Sequence, residues 1–232
     1  MRHRLLYAII FIAIGFVVLY SPMTSYLVRD LVTYKLEKAL DMDIVFGRVR
    51  IKPPAQLTVS DIKAMDKAGM AMVSERAYLR LDPRKVFAGR FVLSCDFQNV
   101  MLKSKICDTL NGLLRPFDVP VQNGFRFDGI KGIINIGKGD LAISDIDGSG
   151  PDFKFSGSFK RYRDKKIEYE LDFRINPKIV ESAEGQAVSL LTDRDKDGWY
   201  SIKLSLKGDP RNPSSISFST GGVKLEVKPG GN

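Results

Sequence analysis

The chain has 232 residues, a formal net charge of +9, two cysteines and a single histidine. That histidine, His3, lies in the N-terminal tail, so neither a Cys/His zinc centre nor a Ser-His-Asp or Cys-His pair can form in the folded part. The positive balance suits anionic lipid head groups as well as nucleic acid, and charge alone does not choose between them.

From Leu5 to Val28 no residue is charged. As a helix this run is roughly 36 Å long, enough to cross a hydrocarbon core of about 30 Å. Arg2 and Arg4 precede it, and the junction Val18-Leu19-Tyr20-Ser21-Pro22-Met23 lacks the small-residue pair of a cleavage site. A retained transmembrane anchor over 1–28 is therefore expected rather than a removed signal peptide. Basic residues flank both ends, so the positive-inside count does not orient it. The four-residue tail resembles a Sec-type start with the large domain exported. Leu27, Val28, Leu31, Val32, Leu36, Ala39 and Leu40 then recur at three- and four-residue steps between charged residues. This spacing predicts an amphipathic helix over 29–42, packed on the domain that follows in preference to lying at the membrane interface or plugging one end of the sheet.

From residue 43 to 232 the period becomes two. Ile44, Phe46, then Val49 and Ile51 after a bulge at Gly47; Leu57, Val59; Leu79, Leu81; and Phe91, Leu93, Cys95, Phe97 each give one apolar face. The second half continues with Phe125, Phe127; Ile134, Ile136; Leu141, Ile143; Phe153, Phe155; Ile167 to Ile175; Tyr200 to Leu206; Ile216, Phe218; and Val223 to Val227. Turn signals stand at Pro53-Pro54, Asp82-Pro83, Asp128-Gly129, Asp147-Gly148, Asp197-Gly198 and Gly221-Gly222. Asn176-Pro177 reads as a helix start carrying an apolar stripe to Thr192, and a weaker helix is expected over 104–114. The fold class is mostly β: a meandering antiparallel sheet with one or two short helices, which periodicity alone leaves as sandwich, barrel or open trough.

Little of this reads as chemistry. Asp193-Arg194-Asp195-Lys196-Asp197-Gly198 matches the start of a calcium loop, but Leu204 stands where the bidentate Glu belongs, and a hairpin turn is expected instead. Gly137-Lys138-Gly139 lacks the third glycine of a phosphate loop. The carboxylates are scattered through turns and polar strand faces, so no acid/base pair is expected and the chain does not read as an enzyme. No cofactor is implied. Lys160 to Lys166 is the densest basic run, read as a solvated hairpin tip or a head-group contact. Cys95 and Cys107 fit either a disulfide or two small buried apolar residues.

The basic tail, apolar run and amphipathic helix are followed by the series Val45-Phe46-Gly47-Arg48-Val49-Arg50-Ile51, Leu57-Thr58-Val59-Ser60-Asp61-Ile62, Ala77-Tyr78-Leu79-Arg80-Leu81 and Val86-Phe87-Ala88-Gly89-Arg90-Phe91. Near the end stands Tyr200-Ser201-Ile202-Lys203-Leu204-Ser205-Leu206-Lys207-Gly208, with Pro210 and Pro213. This arrangement resembles the AsmA-like superfamily of bacterial envelope proteins, including the N proteins of type II secretion. The resemblance covers about the first hundred residues and a short stretch near the end.

It implies a single-pass inner-membrane protein with its C-terminal domain in the periplasm, engaged in lipid transport or envelope biogenesis. Its curved sheet, an open trough or half-barrel, would bind lipid acyl chains or an apolar partner. About a dozen strands at about 4.8 Å spacing make a trough of roughly 55–60 Å. The candidate groove residues are Phe46, Leu57, Val59, Leu79, Leu81, Phe91, Leu93, Phe125, Phe127, Ile134, Ile136, Phe153 and Phe155. Expected partners are the bilayer, a phospholipid or lipid-modified ligand, and envelope or secretion-system proteins, with no nucleic acid. The alternative is a structural component of a secretion-like machine that binds no lipid.

Overall fold

The computed structural model describes residues 22–52, 56–67, 69–103, 124–137, 139–164, 166–180, 194–209, 212–220 and 223–227. Helix α1 spans Pro22–Leu40. The amphipathic segment expected over 29–42 is thus the later part of a longer helix whose first turns belong to the apolar run. The helix buries Val32, Leu36 and Ala39, one face at four- and three-residue steps, and leaves Tyr26, Leu31 and Tyr34 exposed. Leu31, expected on the apolar stripe, points away from the domain.

Twelve strands follow: β1 Asp43–Val45, β2 Val49–Lys52, β3 Gln56–Asp66, β4 Gly69–Leu81, β5 Phe91–Leu102, β6 Phe125–Ile136, β7 Leu141–Ser149, β8 Phe153–Arg161, β9 Ile167–Ile175, β10 Tyr200–Asp209, β11 Asn212–Thr220 and β12 Val223–Val227. They form one antiparallel sheet in which β3 to β12 each pair with their chain neighbours, while β1 and β2 share β3 as partner. The order runs open from the β1 and β2 edge to β12, so the sheet is neither a two-sheet sandwich nor closed by pairing of its first and last strands. Short helix α2, Pro83–Phe87, bridges β4 and β5; the Asp82 carboxylate accepts from the Arg84 and Lys85 amides, and Pro83 takes the position where a missing N–H is harmless. Helix α3, Pro177–Val180, starts at Asn176 as its sequence predicts: the Asn176 side chain accepts from the Lys178 amide and donates to the Pro151 carbonyl.

A crease crosses the first half of the sheet. In β3 the buried residues are Leu57 and Val59, then Ile62 and Ala64; in β5 they are Leu93 and Cys95, then Val100 and Leu102. The facing parity therefore reverses mid-strand. The reversal falls at Asp61 and Asn99, whose φ values of 55° and 50° lie in the left-handed region that Asp and Asn tolerate best. Neighbouring pairs place Asp61, Glu75, Asn99 and Asp128 in one row across β3 to β6. Asn99 Nδ2 donates to Glu75 Oε2 at 2.5 Å along this row. Beside it the fully buried Ser74 hydroxyl donates to the Gln98 carbonyl at 2.9 Å, which satisfies the buried polar atom. Gly47 continues the row at the edge, where the first strand breaks into β1 and β2; a Cβ there would lie 2.8 Å from the Ser60 carbonyl oxygen. The bulge expected at Gly47 is thus one end of a feature spanning several strands.

Two expected turns are not turns. Asp128-Gly129 lies inside β6 and Asp147-Gly148 inside β7. Their glycines answer packing rather than reversal of the chain: Gly148 pairs with Phe155, and a Cβ on it would meet that ring at 2.2 Å. Gly148→Ala is expected to force the ring aside and cost about 1–3 kcal/mol, read as a lowered denaturant midpoint with an unchanged slope.

Candidate functional site

The apolar face of the sheet carries two buried clusters. The first joins Val32, Leu36 and Ala39 of α1 to Leu57, Val59, Leu79, Phe91, Leu93, Ile134 and Leu141. The second joins Val180 of α3 to Phe125, Phe127, Phe153, Phe173 and Ile202. Aromatic edges and faces order it: Phe125 meets Phe153 at 4.9 Å edge-on, Phe127 meets Phe155 at 5.0 Å edge-on, and Phe153 stacks on Phe173 at 5.4 Å.

The thirteen predicted groove residues all face this side, and the chain itself covers most of them. Leu57, Val59, Leu79, Phe91, Leu93, Phe125, Phe127, Ile134 and Phe153 are buried, while Phe46, Leu81, Ile136 and Phe155 are half-buried. They divide between the two clusters rather than lining one continuous surface. At the margin of the clusters runs a row that the sequence reading did not select: Ile143, Phe159, Tyr169 and Leu206, aligned across β7 to β10 and all half-buried, with Ile143 and Phe159 packed against the first cluster and Tyr169 against the second. Burial raises the pKa of the Tyr169 hydroxyl, which sits in this row. The alternation that marks these residues as inward-facing was legible; their partial exposure was not, because it depends on what packs over the face rather than on the period of the strands.

Arg161, at the end of β8, donates from Nη2 to the carbonyl oxygen of Ala39 at the C-terminal turn of α1. A cation there meets the negative end of the helix dipole and an otherwise unpaired carbonyl. Lys160, Tyr162 and Lys166 of the basic run are engaged in their own hairpin. Lys160 lies 4.6 Å from the Tyr162 ring centre, the Tyr162 hydroxyl donates to Glu168 Oε2 at 2.7 Å, and Lys166 pairs with Asp164 at 2.9 Å. The Tyr162 hydrogen bond, then the Lys207 ammonium, hold the Glu168 carboxyl below its ordinary range. Asp164 is lowered and Lys166 raised by their mutual contact.

Other sequence signals resolve into structure. Cys95 is a free, buried thiol pushed up to about 12 by burial, and it donates weakly to the Leu93 carbonyl. A thiol held protonated in this way is a poor nucleophile. Cys107 and the expected helix over 104–114 lie outside the described residues, as do Asp193 and most of the helix expected to run to Thr192. In the calcium-like stretch, Arg194 bridges to Tyr200, and Asp195 Oδ1 accepts from the Asp197 and Trp199 amides while its Oδ2 faces Arg174 at 3.4 Å. That is a side-chain-closed hairpin turn. Among the described residues, no group of three or more His, Cys, Asp or Glu side chains is placed to hold a metal ion.

Among the described residues no helix is long and apolar enough to cross a membrane; residues 5–21 of the expected anchor lie outside them. No protein-family model matches the chain, and no curated protein matches it.

Proposed function

We propose that the chain is a membrane-anchored envelope protein of AsmA-like type, whose curved sheet holds a lipid acyl chain or an equally apolar partner. The reading rests on one observation above all: a single-sided apolar sheet carries a half-buried row, Ile143-Phe159-Tyr169-Leu206, at the margin of the buried clusters. A row four strands wide presents methyl groups and ring edges along roughly 15 Å, a fit for part of an extended hydrocarbon chain. The charge-free run from Leu5 to Val28 supports the anchor.

The experiment is to purify the full chain from membranes in mild detergent and quantify copurifying phospholipid by mass spectrometry. Near-stoichiometric lipid is expected, and Phe159→Asp with Leu206→Asp should abolish it while leaving the circular dichroism spectrum and unfolding midpoint close to the parent's. Lipid-free parent protein would overturn the acyl-chain reading. A second reading, an assembly component without lipid, is favoured by the burial of nine predicted groove residues beneath the chain's own side chains. Copurifying envelope proteins with a lipid-free domain would establish it.

A further inference from the structure

The opposite, outward face of β2 to β4 holds a second constellation. Arg48, Arg50 and Lys52 alternate with the half-buried Val49 and Ile51, so all three project outward and are exposed. The register places Arg50 beside Thr58 and Lys52 beside Gln56, and the Ser60 amide donates to the Arg48 carbonyl at 3.0 Å. On the next strand Ser60 pairs with Arg76, Thr58 with Tyr78 and Gln56 with Arg80. The result is three parallel rows: Arg48-Ser60-Arg76, Arg50-Thr58-Tyr78 and Lys52-Gln56-Arg80. Rows repeat about every 7 Å along the strands, and the outer strands stand about 10 Å apart with hydroxyl or amide donors between them.

Two features mark this grid as a place for an anionic ligand. Arg48, Arg50, Lys52, Arg76 and Arg80 make no ion pair with a carboxylate among the described residues, which leaves five cations on one stretch of the outward face. The side chains of Arg48, Arg50, Lys52 and Arg76 enclose, with Thr58, Ser60 and Tyr78, an open concavity of about 460 Å³. Behind this lining the Thr58 hydroxyl oxygen is buried without a hydrogen-bond partner. The Tyr78 hydroxyl beside Arg76, and then the Glu75 carboxylate, raise the guanidinium's pKa.

We infer that this concavity binds a phosphate-bearing ligand, with guanidinium groups of Arg48, Arg50 and Arg76 donating to phosphate oxygens and the Ser60 hydroxyl, which otherwise makes a long 3.5 Å contact to the Arg48 carbonyl, adding a neutral donor. Guanidinium forks match phosphate geometry, and a hydroxyl between them completes the coordination. An anionic lipid head group and a soluble phosphate ester offer the same chemistry. The site lies on the face opposite the apolar row, so it stands or falls independently of acyl-chain binding.

The test uses full-length protein in nonionic detergent and follows phosphorus resonances of two probes: inorganic pyrophosphate, and phosphatidylglycerol doped into the micelles. Saturable broadening of both identifies phosphate from either source; of phosphatidylglycerol alone, a head-group site; of pyrophosphate alone, a soluble-ester site. In each case Arg50→Gln with Arg76→Gln is expected to weaken binding roughly tenfold or more. The charge-matched pair Lys63→Gln with Lys67→Gln, on exposed residues away from the grid, should bind as the parent does. The inference is overturned if neither probe binds, if both variant pairs weaken binding equally, or if a short oligonucleotide competes far more strongly than either probe.

Discussion

Val32→Asp is expected to unseat helix α1 and lower the unfolding free energy by roughly 4 kcal/mol, through lost apolar burial and the desolvation of a carboxyl. Val32 is fully buried at the centre of the contact between α1 and the sheet, in the same cluster as Leu57, Val59 and Leu79. Burial should raise the new carboxyl's pKa above its unfolded value, since the charged form is the one penalised. The folded state then binds the proton more tightly than the unfolded state, so the defect is smallest in acid and grows as pH rises through neutrality. Val32→Asn should show a loss without that slope. Chemical denaturation of both variants at acid and neutral pH checks the expectation, and equal losses at the two pH values for Val32→Asp would show that α1 does not hold this residue in an apolar contact.

Phe127→Ala carries the other large effect, about 3–5 kcal/mol. The ring is fully buried, meets Phe155 edge-on at 5.0 Å, and belongs to the second cluster. The cavity term should therefore approach its upper range. Thermal or urea unfolding reads the loss directly. A cost under about 1 kcal/mol would mean that the second cluster collapses freely on truncation, contrary to ordinary close packing. The result also bears on the site: a residue buried this deeply answers to the fold before any guest, unlike Phe159 in the half-buried row.

Much of the sheet was legible because alternation is a direct imprint of the pleat. Phe91-Leu93-Cys95 and Tyr200-Ile202-Leu204 declare both strand and face, and Asn176-Pro177 declares a helix start. What escaped was the change of parity within strands. Leu57-Val59 reads as a complete short strand, yet the same strand resumes as Ile62-Ala64 once Asp61 has turned its backbone through a left-handed residue. Asp-Gly pairs have the same composition in a hairpin and inside a strand, so Asp128-Gly129 and Asp147-Gly148 read as turns in the sequence and lie within β6 and β7. The outward basic grid was missed for a related reason. Counting contiguous charge favours Lys160 to Lys166, whereas Arg48, Arg50, Lys52, Arg76 and Arg80 are brought together only by cross-strand register. Burial of the groove residues was beyond periodicity altogether, since α1 and α3 cover the face from outside the strands concerned.

The hydrogen bond from Arg161 to Ala39 joins groups 122 residues apart in sequence, whereas β3 to β12 otherwise assemble between chain neighbours. Short-range hairpins close at little entropic expense, but this clasp has to wait until the intervening strands are stacked in order. It therefore serves as a seal on completed assembly: a spectroscopic reporter beside Arg161 should change after the hairpins have formed, and loss of the guanidinium should quicken unfolding far more than it slows folding.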